Sequence, residues 1–543
     1  MLRLGRPDVS NAEIITAGYL KWGIGCLRYL EGDFAFVIWD PQDSQMFCAR
    51  DRMGLKQLLY HYDSGKIFAF STDAKAIFAD TRITRQINKT RVLDFIIGSL
   101  EGVDKIVTPY EGVSRLQPGH YLRLKSGRMS IQSYWSLEPQ EPSRLKTQAD
   151  YIEAFKTHLK DSVARRIDNP ITTGVMVSGG LDSSSIAAMG IDEFGPIIRS
   201  YSGINSANEK CVETKMIRAV NEHLGFNPVY MDLAKPAEWI NGAKDGLSEI
   251  LDPFDSNMTM LRGIYGAAQK NGLTVMLDGA YGDVVFSPGN HMRREMRRGR
   301  LTSAWQSLQA KTYGESGLYE MLWLYIKMLV STLLPPSLTQ KISDKKHARF
   351  TRHLLQSLGL REDIVRRHDL EGRLVTLRAH RGHDSWKNPY MEAVEIVDHP
   401  YNVVARERYD RVSSHFGIIA RDPFSDVKLV KFCLSLPQFY KTHNGKTKSL
   451  LRKTMRNTLP DMVTERVSKE HLGFQFTQSL LRSLDSFVDG PDGRVLSQLF
   501  TTDNISWEQN IVQIGSNIGY NEREHIKYWA NHWLCLENGK ACG

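Results

Sequence analysis

The run Ser178-Gly179-Gly180-Leu181-Asp182-Ser183 carries the most specific chemical signal in this 543-residue chain. Val175 and Val177 before it read as the end of an apolar strand, and Ile186, Ala187, Ala188 and Met189 after it as a helix of small residues. Two glycines let the backbone approach an anion with no Cβ in the way. The helix start behind them turns unpaired N–H groups and a positive dipole end toward that anion. Val177, Ser178, Gly179, Gly180 and Ser183 are therefore expected to cradle phosphate. Asp182 adds a carboxylate beside it, which requires a cation between the two; Mg²⁺ is expected, because it binds through one or two carboxylates plus phosphate oxygens. A bare Ser-Gly-Gly would fit an ordinary strand-turn-helix with serine as N-cap; the longer string is much more specific. The rival nucleotide motif fails: Gly445-Lys446-Thr447 mimics the tail of a Walker A loop, but its required first glycine is Tyr440.

The elements needed to position this loop follow from the pattern on either side. From Asp150 onward, helical segments (Tyr151 to Arg166, Glu213 to Leu224) alternate with strands (Ile197 to Gly203, Pro228 to Asp232, Val275 to Leu277). Alternation of that kind predicts a doubly wound parallel α/β sheet, with ligand at the carboxyl ends of the strands. Before it, Phe34, Phe36 and Ile38 alternate, Pro41 to Ser44 turns, and Met46 to Ala49 returns, so the N-terminal part is expected to be β-rich. The polar, proline-containing stretch from Ser136 reads as a linker. The expected domains are 1–137, a linker at 138–149, and 150–543 with a helical basic and apolar insertion at 290–375.

Bulk properties narrow the class. Charged residues make up 24% and hydrophobic ones 41%, so the chain is expected to fold rather than remain disordered. The net charge of +9 favours an anionic partner without choosing one. Six cysteines show no CxxC or metal-ligand spacing, which points to free thiols in a reducing, cytoplasmic compartment. The apolar run Met321 to Leu334 is short for a membrane span and contains Lys327, so a packed or interfacial helix is expected. The five arginines of His291 to Arg300 are expected on the solvated face of a helix, with at most a peripheral membrane or acidic-peptide contact.

The string SGGLDSS resembles the pyrophosphate loop of ATP pyrophosphatases. Leu30 to Asp40 and Ala49 to Lys56 resemble the second half of the glutaminase domain of asparagine synthetases, and Asp410-Arg411-Val412-Ser413, Arg421 to Asp426 and Arg466 to Phe474 resemble strings of their synthetase domain. The resemblance implies a glutaminase-like, Ntn-type N-terminal domain and an ATP-binding ligase domain that forms AMP and pyrophosphate. It assigns Gly279 to the nucleotide site, Asp283 to catalysis and, with Asp182, to the metal, Ser202 to adenine and ribose, and Lys469 to charge stabilisation on the acyl-adenylate.

Departures from the family matter as much. The nucleophilic cysteine that follows the family's initiator methionine is replaced by Leu2, and the resemblance starts only around Asn11 to Tyr19, so either the family domain's opening portion is missing or the start codon is misassigned; the first domain is expected to be truncated and inactive as a glutaminase. The acidic or phenolic residue of the second loop falls on Ala280, with Tyr281 a weak substitute beside it, and the acidic partner falls on Ile419. What remains resembles lasso peptide cyclases, which adenylate an Asp or Glu side chain of a precursor peptide and close a macrolactam with its N-terminal amine. That reading implies ATP and Mg²⁺ as cofactors, a leader-free precursor peptide as substrate, a leader-processing protease as a partner, and no nucleic acid. The alternatives are a divergent asparagine synthetase, a β-lactam-synthetase-type ligase, or a non-catalytic peptide-binding scaffold.

Overall fold

The computed structural model describes residues 9–244, 252, 255, 258–312, 317–379, 387–466 and 472–482. These form two compact units. The first comprises the described residues up to Arg91 with Asp104–Leu137 and Pro400–Arg411; the second takes Val92–Val103 and the rest.

The first unit holds two antiparallel sheets. Strands β1 (Ala35–Asp40), β2 (Gln45–Arg50), β3 (Leu59–Asp63), β4 (Ile67–Ser71), β5 (Val113–Arg115), β6 (His120–Lys125) and β7 (Arg128–Ser133) pair in the orders β1-β2-β6-β7 and β4-β3-β5. Strand side chains alternate between faces, so β2 contributes to two cores. Phe47 and Ala49 pack with Tyr19, Cys26 and Leu27, and Cys48 packs with Leu58, Leu116 and Leu122. The 3₁₀ and α segments before β1 begin at Ser10, which makes a reciprocal capping box with Glu13.

The Ala49 to Lys56 string is structural in this unit. Asp51 accepts N–H bonds from Met53, Leu55 and Lys56, each at 3.0 Å. The buried Arg50 donates to the carbonyls of Gly54, Lys56 and Leu116 and pairs with Glu407 at 2.8 Å. Arg115 meets the same carboxylate at 2.7 Å. Burial would raise the Glu407 carboxyl, but Arg115, Arg50 and Arg411 together hold it below the ordinary range.

The second unit contains a five-stranded sheet of β8 (Thr173–Met176), β9 (Arg199–Ile204), β10 (Val229–Asp232), β11 (Val275–Leu277) and β12 (Ile419–Arg421), in the order β10-β9-β8-β11-β12. All its pairings are parallel, as the alternating pattern predicts. The chain moves outward through β9 and β10, then returns to the other side of β8 with β11. A doubly wound sheet opens its ligand crevice where the order reverses, between the carboxyl ends of β8 and β11. The helix Leu181–Phe194 buries Ile186, Ala187, Ala188 and Met189, and this apolar packing fixes its start beside the crevice.

One expectation needs correction. Among the arginines of the His291–Arg297 helix and its end, Arg294 is buried and paired with Glu392 rather than solvated. The apolar helix Leu318–Leu333 buries Met321 and Thr332 while its opposite side is exposed. No helix among the described residues is long and apolar enough to cross a membrane.

Candidate active site

The loop after β8 is closed by its own serines. Ser178 N–H donates to Ser183 Oγ at 3.1 Å, the two hydroxyls lie 2.9 Å apart, and Gly180 N–H reaches Ser178 Oγ at 3.4 Å. Gly179 has φ +68°, and a Cβ there would stand 2.8 Å from Met216 Cβ, so both conformation and packing demand glycine. Val177 is buried, and its N–H donates to the Tyr201 carbonyl at 3.0 Å. The loop therefore presents a short, pinned backbone turn in front of a helix N-terminus.

The loop after β11 comes against it. A Cβ on Gly279 would meet Ser183 N at 3.0 Å, and one on Gly282 would meet Asp182 Cγ at 2.4 Å. Asp422 holds this second loop from behind. Its buried carboxylate accepts from Tyr281 N–H at 2.7 Å and Phe424 N–H at 2.9 Å. Asp278, also buried, accepts from Ala280 N–H at 3.2 Å.

Between the loops stands Lys448, a residue for which sequence reasoning assigned no role. Its ammonium lies 2.5 Å from Asp182 Oδ2 and 2.5 Å from Asp283 Oδ1. Lys448 precedes the helix Ser449–Met455 with φ +59°, an unfavourable region for a β-carbon residue, and its N–H donates to the Lys441 carbonyl at 2.7 Å. Burial works against its charge, yet Asp182 and Asp283 raise its pKa above the ordinary lysine value. In sequence Lys448 falls in the Lys446 to Lys453 string that resembles the family's helix start, a match that gives this lysine no role, and Asp182 lies 266 positions away.

The two carboxylate oxygens thus share one cation, here an ammonium. That convergence fits a single Mg²⁺ bound through two aspartates and phosphate oxygens. Among the described residues no group of three or more His, Cys, Asp and Glu could hold a metal by itself, so substrate oxygens would have to complete the shell.

Other assignments are placed differently from expectation. Ser202 lies inside β9, which continues to Ile204; its hydroxyl is buried and has no hydrogen-bond partner, a feature that suits a ligand contact. Tyr281 is no substitute acid, since its buried hydroxyl donates to the Val397 carbonyl at 3.1 Å. Ala280 is exposed. Ile419 opens β12 opposite Val275, at the amino end of the sheet. Lys469 and Leu2 lie outside the described residues.

Sheet order, closed glycine loop and opposed aspartates together define a doubly wound α/β domain with a pinned glycine turn at its switch point. Comparison with known proteins makes this specific: the asparagine synthase family model matches residues 154–490, and a glutamine amidotransferase domain matches 7–135. The chain belongs to the asparagine synthase family, a family of ATP-dependent amide ligases. It is 24% identical over 482 residues to asparagine synthetase (glutamine-hydrolyzing) 3 of Bacillus subtilis, covering 84% of this chain and 70% of that protein. Amidase chyE of Penicillium rubens is 24% identical over 91% of this chain and 76% of its own length. A putatively named asparagine synthetase (glutamine-hydrolyzing) 2 of Methanocaldococcus jannaschii is 30% identical over 51% of this chain and 53% of its own.

Proposed function

We propose that this chain is an AMP-forming ligase that closes a macrolactam in a peptide, as in lasso peptide biosynthesis. The observation that carries the activation half is the convergence of Asp182 and Asp283 on one cation position beside the pinned glycine loop. In this reading the Val177 to Ser183 loop and Gly279 hold the phosphates, and the unpartnered Ser202 hydroxyl serves the nucleoside. Asp182 and Asp283 would hold Mg²⁺, which neutralises charge on the pyrophosphate leaving group when bound. A side-chain carboxylate oxygen attacks the α-phosphorus, the bond to the bridging oxygen breaks, and pyrophosphate leaves. Lys448 neutralises the two carboxylates until a metal takes its place between them. The peptide's N-terminal amine then attacks the acyl carbon, AMP departs and a proton is released. Holding amine and acyl-adenylate together makes this second step effectively unimolecular. Lys469 enters from the sequence alone, as the group that stabilises the tetrahedral oxyanion.

An amine arriving with the substrate accords with the first unit's chemistry. Burial raises the Cys26 thiol and pushes that of Cys48 up to about 12, so neither supplies a thiolate for glutamine hydrolysis. The names of the relatives favour a second reading, divergent asparagine synthesis. Incubation with ATP, Mg²⁺ and a leader-free precursor peptide separates the two. A product lighter by one water, with AMP formed in equal amount, is expected. Asparagine from aspartate and ammonia in its place would overturn the macrolactam reading. A protein that makes no AMP with any of these carboxylates would be the peptide-holding scaffold instead.

A further inference from the structure

The helix Leu318–Leu333 is apolar on two opposite sides. One side is held by the protein: Met321 and Thr332 are buried, the Tyr325 hydroxyl donates to the Leu301 carbonyl at 2.8 Å, and the Tyr325 ring packs edge-on against Trp305. The other side carries Tyr319, Leu322, Trp323, Ile326, Val330 and Leu333. At 3.6 residues per turn these occupy roughly a third of the circumference. They are far from covered: Tyr319 is 81% exposed, Trp323 57% and Leu333 69%. A contiguous apolar stripe of this kind marks a docking surface rather than ordinary surface composition.

The charges around it indicate what docks. Lys327 lies at the edge of the stripe, with its ammonium 4.6 Å from the Trp323 ring centroid. In the following helix, Pro336–Ser357, the exposed Lys341, Lys345, Arg349 and Arg352 share one face with the exposed Leu338 and Ile342. Asp344, an acid among them, is engaged with Arg378 at 3.0 Å. Exposed aliphatic and aromatic side chains with lysines and arginines nearby match the chemistry of an interfacial helix on anionic lipid: the apolar side enters the headgroup boundary and the cations meet phosphates. Tyr and Trp are also the residues that favour this depth. A second copy would bring like charges together, which disfavours self-association.

We infer that the Leu318–Leu333 helix, with the cationic helix after it, docks this protein on the surface of an anionic bilayer. The surface is independent of the ligase chemistry and places the enzyme at a membrane without spanning it.

Flotation of the full chain with vesicles tests this. Wild type is expected to float with phosphatidylglycerol-containing vesicles, not with pure phosphatidylcholine, and to be released by high salt. The charge-neutral pair Trp323→Ser and Ile326→Ser should weaken partition about tenfold or more, since both side chains lose apolar burial in the bilayer. Both positions are exposed, so an unchanged thermal midpoint verifies that the variant is folded. Three results would overturn the inference: no flotation of wild type, equal flotation of the double variant, or a wild-type dimer in sedimentation that Trp323→Ser dissociates.

Discussion

Lys448 shows how two carboxylates can be kept together before substrate arrives. Its ammonium neutralises Asp182 and Asp283 at the position where a metal ion was expected. Lys448→Met should leave two facing anions and cost about 2 kcal/mol, below the usual cost of breaking a buried pair because Asp283 is half exposed to water. Mg²⁺ without ATP should then raise the melting temperature of the variant and leave wild type unchanged. A variant indifferent to Mg²⁺ would mean that Asp182 and Asp283 are not a cation site. A second lysine reports on pH. Burial pushes Lys441 down to about 8, so between pH 8 and the ordinary lysine range the unfolded chain binds a proton that the folded chain does not. Stability from this group therefore rises with pH across that window. Lys441→Met should flatten the rise and stabilise the protein at pH 7 by about 3 kcal/mol, measured as denaturant midpoints at several pH values.

The site exists because two loops at adjacent strand ends come into van der Waals contact, and glycine is what allows it. Gly282→Ala would drive a methyl group into Asp182 Cγ, 2.4 Å away. Overpacking of this kind costs about 1–3 kcal/mol, but displacement of Asp182 should lower adenylation far more than stability. Retained adenylation in a folded Gly282→Ala protein would show that the loop contact is dispensable. Much of this was legible in the chain. The glycines and aspartates announced the loops, and periodicity placed β8 to β11 within a residue or two. The strand order β10-β9-β8-β11-β12 was not legible, since it is set by packing between distant segments. Lys448 lies in a string that resembles the family's helix start, but nothing local says that its ammonium reaches Asp182 and Asp283.

At the scale of the molecule, the first unit closes around a segment from late in the chain. Pro400–Arg411 belongs with it through Glu407, which meets the buried Arg50 and Arg115. The β-rich pattern of the N-terminal part was readable from alternation and turns, but this segment looks in sequence like one more piece of the ligase domain. Glu407→Ala should leave both guanidiniums buried without that carboxylate and cost about 3–5 kcal/mol, read from denaturant unfolding. An unchanged midpoint would show that the ion cluster does not stabilise the unit. In the other unit, the loops that carry Asp182 and Asp283 around one cation are proposed to split ATP at the α-phosphate. Isotope exchange between pyrophosphate and ATP, driven by the carboxylate substrate, reads that step. Wild type should catalyse exchange and Asp182→Asn should lose it by about a hundredfold or more, on the scale of about 3 kcal/mol in the transition state. Equal exchange in wild type and Asp182→Asn would contradict the account.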